Sequence, residues 1–177
     1  MLKLLRVKIV ITGPFQSGKT TFIKLATKGR SIHVEHRGIT VGLDFGTIKY
    51  DGIVVHLFGT PGLDRFSMLR EIVAKGARGF ILVLDSADPN SIMAGKEILK
   101  EILKINGHIP CVILANKQDL PNAIPVRKIK SLFTNFPVVP GVLIRGVGIK
   151  ESLALLFSQM NKVNIPILNQ KTNIPTY

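Results

Sequence analysis

Gly13-Pro14-Phe15-Gln16-Ser17-Gly18-Lys19-Thr20 is the stretch that decides how this chain folds. It fits G-x-x-x-x-G-K-[ST] without a mismatch, and its setting is right. The β-rich run Arg6–Thr12 precedes it, and Thr20–Thr27 reads as a helix after it. Glycines at Gly13 and Gly18 let backbone N–H groups curl around an anion. The helix N-terminus adds positive potential. Lys19 can neutralise β- and γ-phosphates, and the Thr20 hydroxyl can ligate Mg²⁺. The motif implies a nucleoside triphosphate and leaves the base and the reaction open.

Working outward, apolar runs alternate with helical patterns. Ile39–Tyr50 and Ile53–Phe58 are strand-like and joined by Asp51-Gly52, a hairpin signal. Phe80–Leu84 and Cys111–Ala115 are short and wholly apolar, as strands buried on both faces are. Asp88-Pro89 caps and starts a helix that runs to about Ile105, with Gly107 marking its end. Val126–Phe133 and Ile149–Met160 carry further helical patterns, and Pro137 and Pro140 push the run between them to a sheet edge. Strands alternating with helices predict an α/β fold with a mostly parallel sheet. Residues 1–163 are expected to form one domain. Asn164–Tyr177, with two prolines and no periodicity, is expected to be a weakly ordered tail.

The chain's 177 residues suit a single domain, and 46% are hydrophobic. One cysteine, Cys111, excludes an internal disulfide framework and suits a reducing, cytoplasmic setting. No apolar run reaches the roughly 20 residues that a membrane span needs. Twenty-four Lys plus Arg against eleven Asp plus Glu leave a net charge of +13, which favours anionic partners. Nucleic acid or an acidic membrane would fit that charge. However, the cations form no run of five, and aromatics do not interleave with them as a stacking platform requires.

Asn116-Lys117-Gln118-Asp119 follows the buried run Cys111–Ala115, which places it at the carboxyl end of a central strand. The Asp119 carboxylate can accept from guanine N1–H and the N2 amino group together; adenine offers neither donor there. Sites built on such bonds discriminate by about 10⁴ or more. The Lys117 stem can lie on the base, and Asn116 can tie this loop to the phosphate loop. Here the chain resembles the Ras-like small GTPases. Ala115-Asn116-Lys117-Gln118-Asp119-Leu120-Pro121-Asn122-Ala123 is most similar to the ADP-ribosylation-factor branch. The resemblance covers about Arg6 to Lys162. It implies a six-stranded sheet with helices on both faces, GTP or GDP with Mg²⁺ as ligands, and two switch segments. It places nucleotide contacts at Gly13, Phe15, Gln16, Ser17, Gly18, Lys19, Thr20, Thr21, Asn116, Lys117, Asp119 and Leu120.

The first switch falls at about Gly29–Thr40, where Gly38-Ile39-Thr40-Val41-Gly42 resembles the segment that supplies a second Mg²⁺-binding threonine, Thr40. His33, Glu35, His36 and Arg37 read as a solvated loop face. The second switch starts at Gly59-Thr60-Pro61-Gly62-Leu63, which resembles D-T-A-G-Q. Gly62 matches the glycine whose N–H binds the γ-phosphate. Gly59 replaces the aspartate that holds a water on Mg²⁺. Pro61 stiffens the turn. Leu63 replaces the glutamine that orients the attacking water, so hydrolysis is expected to be weak. Phe15 stands where glycine is usual. The family's S-A-K element falls at Val142-Leu143-Ile144, with the Leu143 N–H as donor to guanine O6.

Protein effectors and regulators are expected to bind through residues 29–45 and 59–78. Leu2 stands where myristoylation needs glycine, and no prenylation cysteine is seen, so the usual lipid anchors are not expected. The reading is a GTP/GDP switch with slow hydrolysis. The alternatives are a non-hydrolysing GTP-binding module and a basic, nucleic-acid-associated GTPase. Asp119 argues against an ATPase or nucleoside kinase.

Overall fold

The computed structural model describes residues 6–36, 39–62 and 67–162; for 34–36 and 39–42 it describes the backbone alone. The expected tail 164–177 lies outside the described residues. The strands are β1 (Arg6–Thr12), β2 (Ile32–His36), β3 (Ile39–Tyr50), β4 (Ile53–Gly59), β5 (Gly79–Asp85), β6 (Cys111–Asn116) and β7 (Val138–Pro140). The helices are α1 (Lys19–Ala26), α2 (Ser67–Ala74), α3 (Pro89–Asn106), α4 (Val126–Leu132) and α5 (Ile149–Lys162). A 3-10 turn spans Leu143–Arg145.

The sheet order is β2-β3-β4-β1-β5-β6-β7. β1 pairs in parallel with β4 and β5, β5 with β6, and β6 with β7, while β2–β3 and β3–β4 are antiparallel. The sheet therefore has seven strands rather than six. The additional strand is β2, inside the segment read as a solvated loop. Ile32-His33-Val34-Glu35-His36 alternates apolar and polar residues, which suits an edge strand. It adds antiparallel to β3, with a register shift between Val34 and Glu35.

β5, β6 and the Ile9–Thr12 part of β1 are buried on both sides because helices cover both faces. Ile9 and Ile11 of β1 face α1 and α5, packing with Phe22, Ile23, Leu156 and Phe157. Val10 points the other way, into a second cluster with Ala74 of α2, Ile98 and Ile102 of α3, and Ile129 of α4. Asp88 caps α3 by accepting from the Asn90 N–H at 2.9 Å, with Pro89 opening the helix. Asp51 and Gly52 turn the β3–β4 hairpin at φ 43° and 78°, the left-handed values a two-residue turn needs. Cys111 is buried, and burial pushes its thiol well above the usual range. Among the described residues no helix is long and apolar enough to cross a membrane. This topology gathers the carboxyl ends of β1, β5 and β6 at one end of the sheet, where open α/β folds bind ligands.

Candidate functional site: a phosphate loop tied to a base-reading loop

The phosphate loop leaves the end of β1 and enters α1. Gly18 sits at the N-cap with φ 114°, a conformation that favours glycine, and no side chain caps the helix. The first-turn N–H groups of Lys19, Thr20 and Thr21 therefore have no intrahelical acceptor and face the loop's concavity. Gln16 is also left-handed, at φ 58°. The Ser17 hydroxyl is buried and has no partner among the described residues. The Lys19 ammonium folds back to donate to the Pro14 carbonyl at 2.5 Å. Burial, reinforced by the Arg70 cation and partly offset by Asp44, lowers Lys19 to about 8. A polyanion laid in the loop would reverse that imbalance.

The segment expected to form the second switch closes against the loop at Gly62. A Cβ at Gly62 would stand 2.6 Å from the Phe15 nitrogen and 2.7 Å from Lys19 Nζ, so only glycine permits this approach. Thr60 donates to the Thr12 hydroxyl at 2.9 Å. Arg70, buried on α2, donates to the Pro61 carbonyl at 3.4 Å and pairs with Glu101 of α3 at 2.7 Å. Phe15 is 57% exposed. Leu63 lies outside the described residues, as does the side chain of Thr40, whose backbone is the second residue of β3 and pairs with Glu35.

The loop expected to read the base follows β6. Asn116 Nδ2 donates to the Ser17 carbonyl at 2.8 Å, and Asn116 Oδ1 accepts from the Leu143 N–H at 2.9 Å. One buried amide thus joins three segments that are far apart in sequence. Lys117 turns the chain at φ 65° and pairs with Asp85 at the end of β5, 2.5 Å away. Asp119 and Leu120 stand exposed beyond it, and the Gln118 N–H donates to the Gly141 carbonyl at 3.1 Å. Leu143 is buried beside the loop, while Ile144 is 78% exposed. The Leu143 N–H, expected to be the guanine O6 donor, is therefore already engaged by Asn116.

Sequence reasoning missed Asp44. Its carboxylate is buried, accepts from the Thr20 hydroxyl at 2.7 Å and pairs with His33 Nδ1 at 2.6 Å. The available signal was an acid on an otherwise mostly apolar strand, in a chain lacking one at position 59. It missed the Arg70–Glu101 pair as well, because neither residue belongs to a motif.

The sequence profile of the ADP-ribosylation factor family matches residues 1–160. An uncharacterized protein of Methanocaldococcus jannaschii is 32% identical over 154 residues, 86% of this chain and 96% of the relative. ADP-ribosylation factor-like protein 4C of Homo sapiens is 27% identical over 169 residues, 87% of this chain and 86% of the relative. The protein of that name from Mus musculus matches to the same extent. With its phosphate loop and doubly covered sheet, and with this profile matching 160 of its residues, the chain belongs to the ADP-ribosylation factor family of GTP-binding, GTP-hydrolysing domains.

Proposed function

We propose that this protein is a guanine-nucleotide switch that binds GTP and GDP with Mg²⁺, and that position 63 limits its hydrolysis. The observation that carries the reading is the Asn116 bridge, which fixes the phosphate loop and the base-reading loop relative to each other. A cradle for phosphate without a fixed base reader would not discriminate between nucleotides.

Each role follows from the chain's own groups. The N–H groups at the start of α1 and the Lys19 ammonium hold the phosphates. Asp119, exposed and three residues beyond the end of β6, accepts from guanine N1–H and N2. The Lys117 stem, anchored by Asp85, lines the base. With the Leu143 N–H engaged by Asn116, the donor for guanine O6 passes to Ile144, the next residue of the 3-10 turn. The N–H of Gly62, a residue whose backbone packs closely on Phe15 and Lys19, is the γ-phosphate contact of the second switch.

The residues present fit a magnesium ion. Among the described residues no group of three or more His, Cys, Asp or Glu could hold a metal by itself. The donors at the loop are a hydroxyl, Thr20, with a carboxylate, Asp44, bonded to it. Hard oxygen donors of this sort, completed by phosphate and water, are what Mg²⁺ takes. Thr20 would be a ligand in both nucleotide states and Thr40 in the triphosphate state only. When bound, the ion neutralises phosphate charge. Leu63 can neither donate to a lytic water nor accept from one, so GTP accumulates while affinity is kept. Effectors would meet the second-switch region, where Met68 and Ile72 of α2 are 76% and 58% exposed.

The test is to denature purified protein, identify the released nucleotide by chromatography, and then compete GTP against ATP. Guanine nucleotide and a preference of at least about 10²-fold for GTP are expected. Equal binding of the two would refute the reading.

A further inference from the structure

The acid that a phosphate-loop site needs beside its metal is missing from the place where the resemblance puts it. In phosphate-loop enzymes the loop Ser/Thr and an aspartate together hold Mg²⁺. Here position 59, at the end of β4, is glycine. We infer that Asp44, on the neighbouring strand β3, supplies that carboxylate and positions both the Thr20 hydroxyl and the hydration of the metal.

Three contacts carry the inference. First, register: Phe45 pairs with Phe58, and the next pair outward sets Asp44 beside Gly59. A Cβ at Gly59 would lie 3.0 Å from Asp44 Cβ and 3.2 Å from Asp44 Oδ2. The Asp44 carboxylate thus occupies the space into which a side chain at 59 would project. The glycine and the displaced acid are therefore one arrangement. Second, chemistry: the Thr20 hydroxyl donates its proton to Asp44 Oδ2 at 2.7 Å. A hydroxyl that gives a lone pair to a cation keeps its proton, and that proton needs an acceptor. Asp44 aims the lone pairs of Thr20 outward, as carboxylates behind metal ligands do. Third, rigidity: Asp44 Oδ1 pairs with His33 Nδ1 at 2.6 Å, which fixes the plane of the carboxylate. The residue is only 5% exposed, so its charge is little screened by solvent. Mg²⁺ retains several waters when it binds protein, and an acid one water away is a usual way of holding it. Asp44 acts through Thr20 and water, and is a positioning residue.

This inference rests on the guanine-nucleotide reading, and the experiment separates the two. The release rate of a fluorescent GDP analogue is measured from the full chain while free Mg²⁺ is set with EDTA buffers. In the wild type, release should slow as Mg²⁺ rises. In Asp44→Asn the Mg²⁺ midpoint should rise about 10- to 100-fold, with little change in the rate at no Mg²⁺. The exchange Asp44→Gly with Gly59→Asp returns an acid to β4 and should recover most of the midpoint. An Asp44→Asn midpoint within twofold of wild type would overturn the inference, as would an exchange variant no better than Asp44→Gly alone. If the variants do not fold, the wild-type crystal structure with GDP and Mg²⁺ decides. The carboxylate should lie one water from the metal, and a carboxylate more than about 6 Å away overturns the proposal. Failure of the wild type to bind the GDP analogue at all would instead refute the nucleotide reading.

Discussion

Replacing Asn116 by alanine deletes both ends of the bridge that joins the phosphate loop to the loop after β6 and to the 3-10 turn. The Ser17 carbonyl loses its donor at 2.8 Å, and the Leu143 N–H loses its acceptor at 2.9 Å. Ser17 is 0% exposed, Leu143 1% and Asn116 4%, so water is poorly placed to substitute. Each orphaned buried group costs about 1–3 kcal/mol, so the pair costs about 2–6 kcal/mol. For a domain of this size each kcal/mol lowers Tm by about 2–4 °C. A fall of about 5–20 °C is expected for nucleotide-free protein followed by circular dichroism. Asn116→Asp keeps the acceptor for Leu143 but sets a second acceptor oxygen against the buried Ser17 carbonyl, and should fall at least as far. GTP affinity should drop in both variants, since the two loops are no longer held in register. An Asn116→Ala protein that melts within about 1 °C of wild type would refute the reasoning.

Asp119→Ala should lose most GTP affinity and its preference over ATP, read by competition with a fluorescent nucleotide. Leu63→Gln should raise single-turnover hydrolysis clearly, toward the roughly 10⁻⁴–10⁻³ s⁻¹ of an unassisted small GTPase; equal rates would show that position 63 does not limit catalysis. Lys19 is held near 8 by burial against an unfolded value of 10.5. Between those values the unfolded chain binds the extra proton, so nucleotide-free protein should gain stability as pH rises through the window. Nucleotide phosphate selects the charged amine, so binding should take up a proton and weaken above about pH 8, which calorimetry in two buffers detects. Gly95→Val places side-chain atoms against Leu84 Cδ2, where α3 lies on β5. It should cost about 1–3 kcal/mol in urea unfolding with the nucleotide site intact.

The shape of the phosphate loop, the position of Asn116-Lys117-Gln118-Asp119 at the carboxyl end of β6 and most of the regular elements were legible in the residues themselves. They depend on local rules that sequence carries directly. Gly13 to Thr20 specifies a loop because glycine conformations and a helix N-terminus are properties of consecutive residues. The runs of β5 and β6 are buried on both faces, so their composition alone announces them. Asp51-Gly52 turns the hairpin by its own φ values.

What only the tertiary structure decided involves partners distant in sequence or set by cross-strand register. Ile32–His36 became a strand because an open edge of β3 was available to it, a circumstance no five-residue window records. Pairing fixed the acid as well: with Phe45 opposite Phe58, Asp44 falls beside Gly59 and under Thr20, 24 residues away. The Leu143 N–H was claimed by Asn116, 27 residues earlier, so the donor expected for guanine O6 already has a partner within the protein. A sequence states which groups a site has; strand register and burial decide which of them meet, because a hydrogen bond needs its partners within about 3 Å and a chain's spacing does not set that distance.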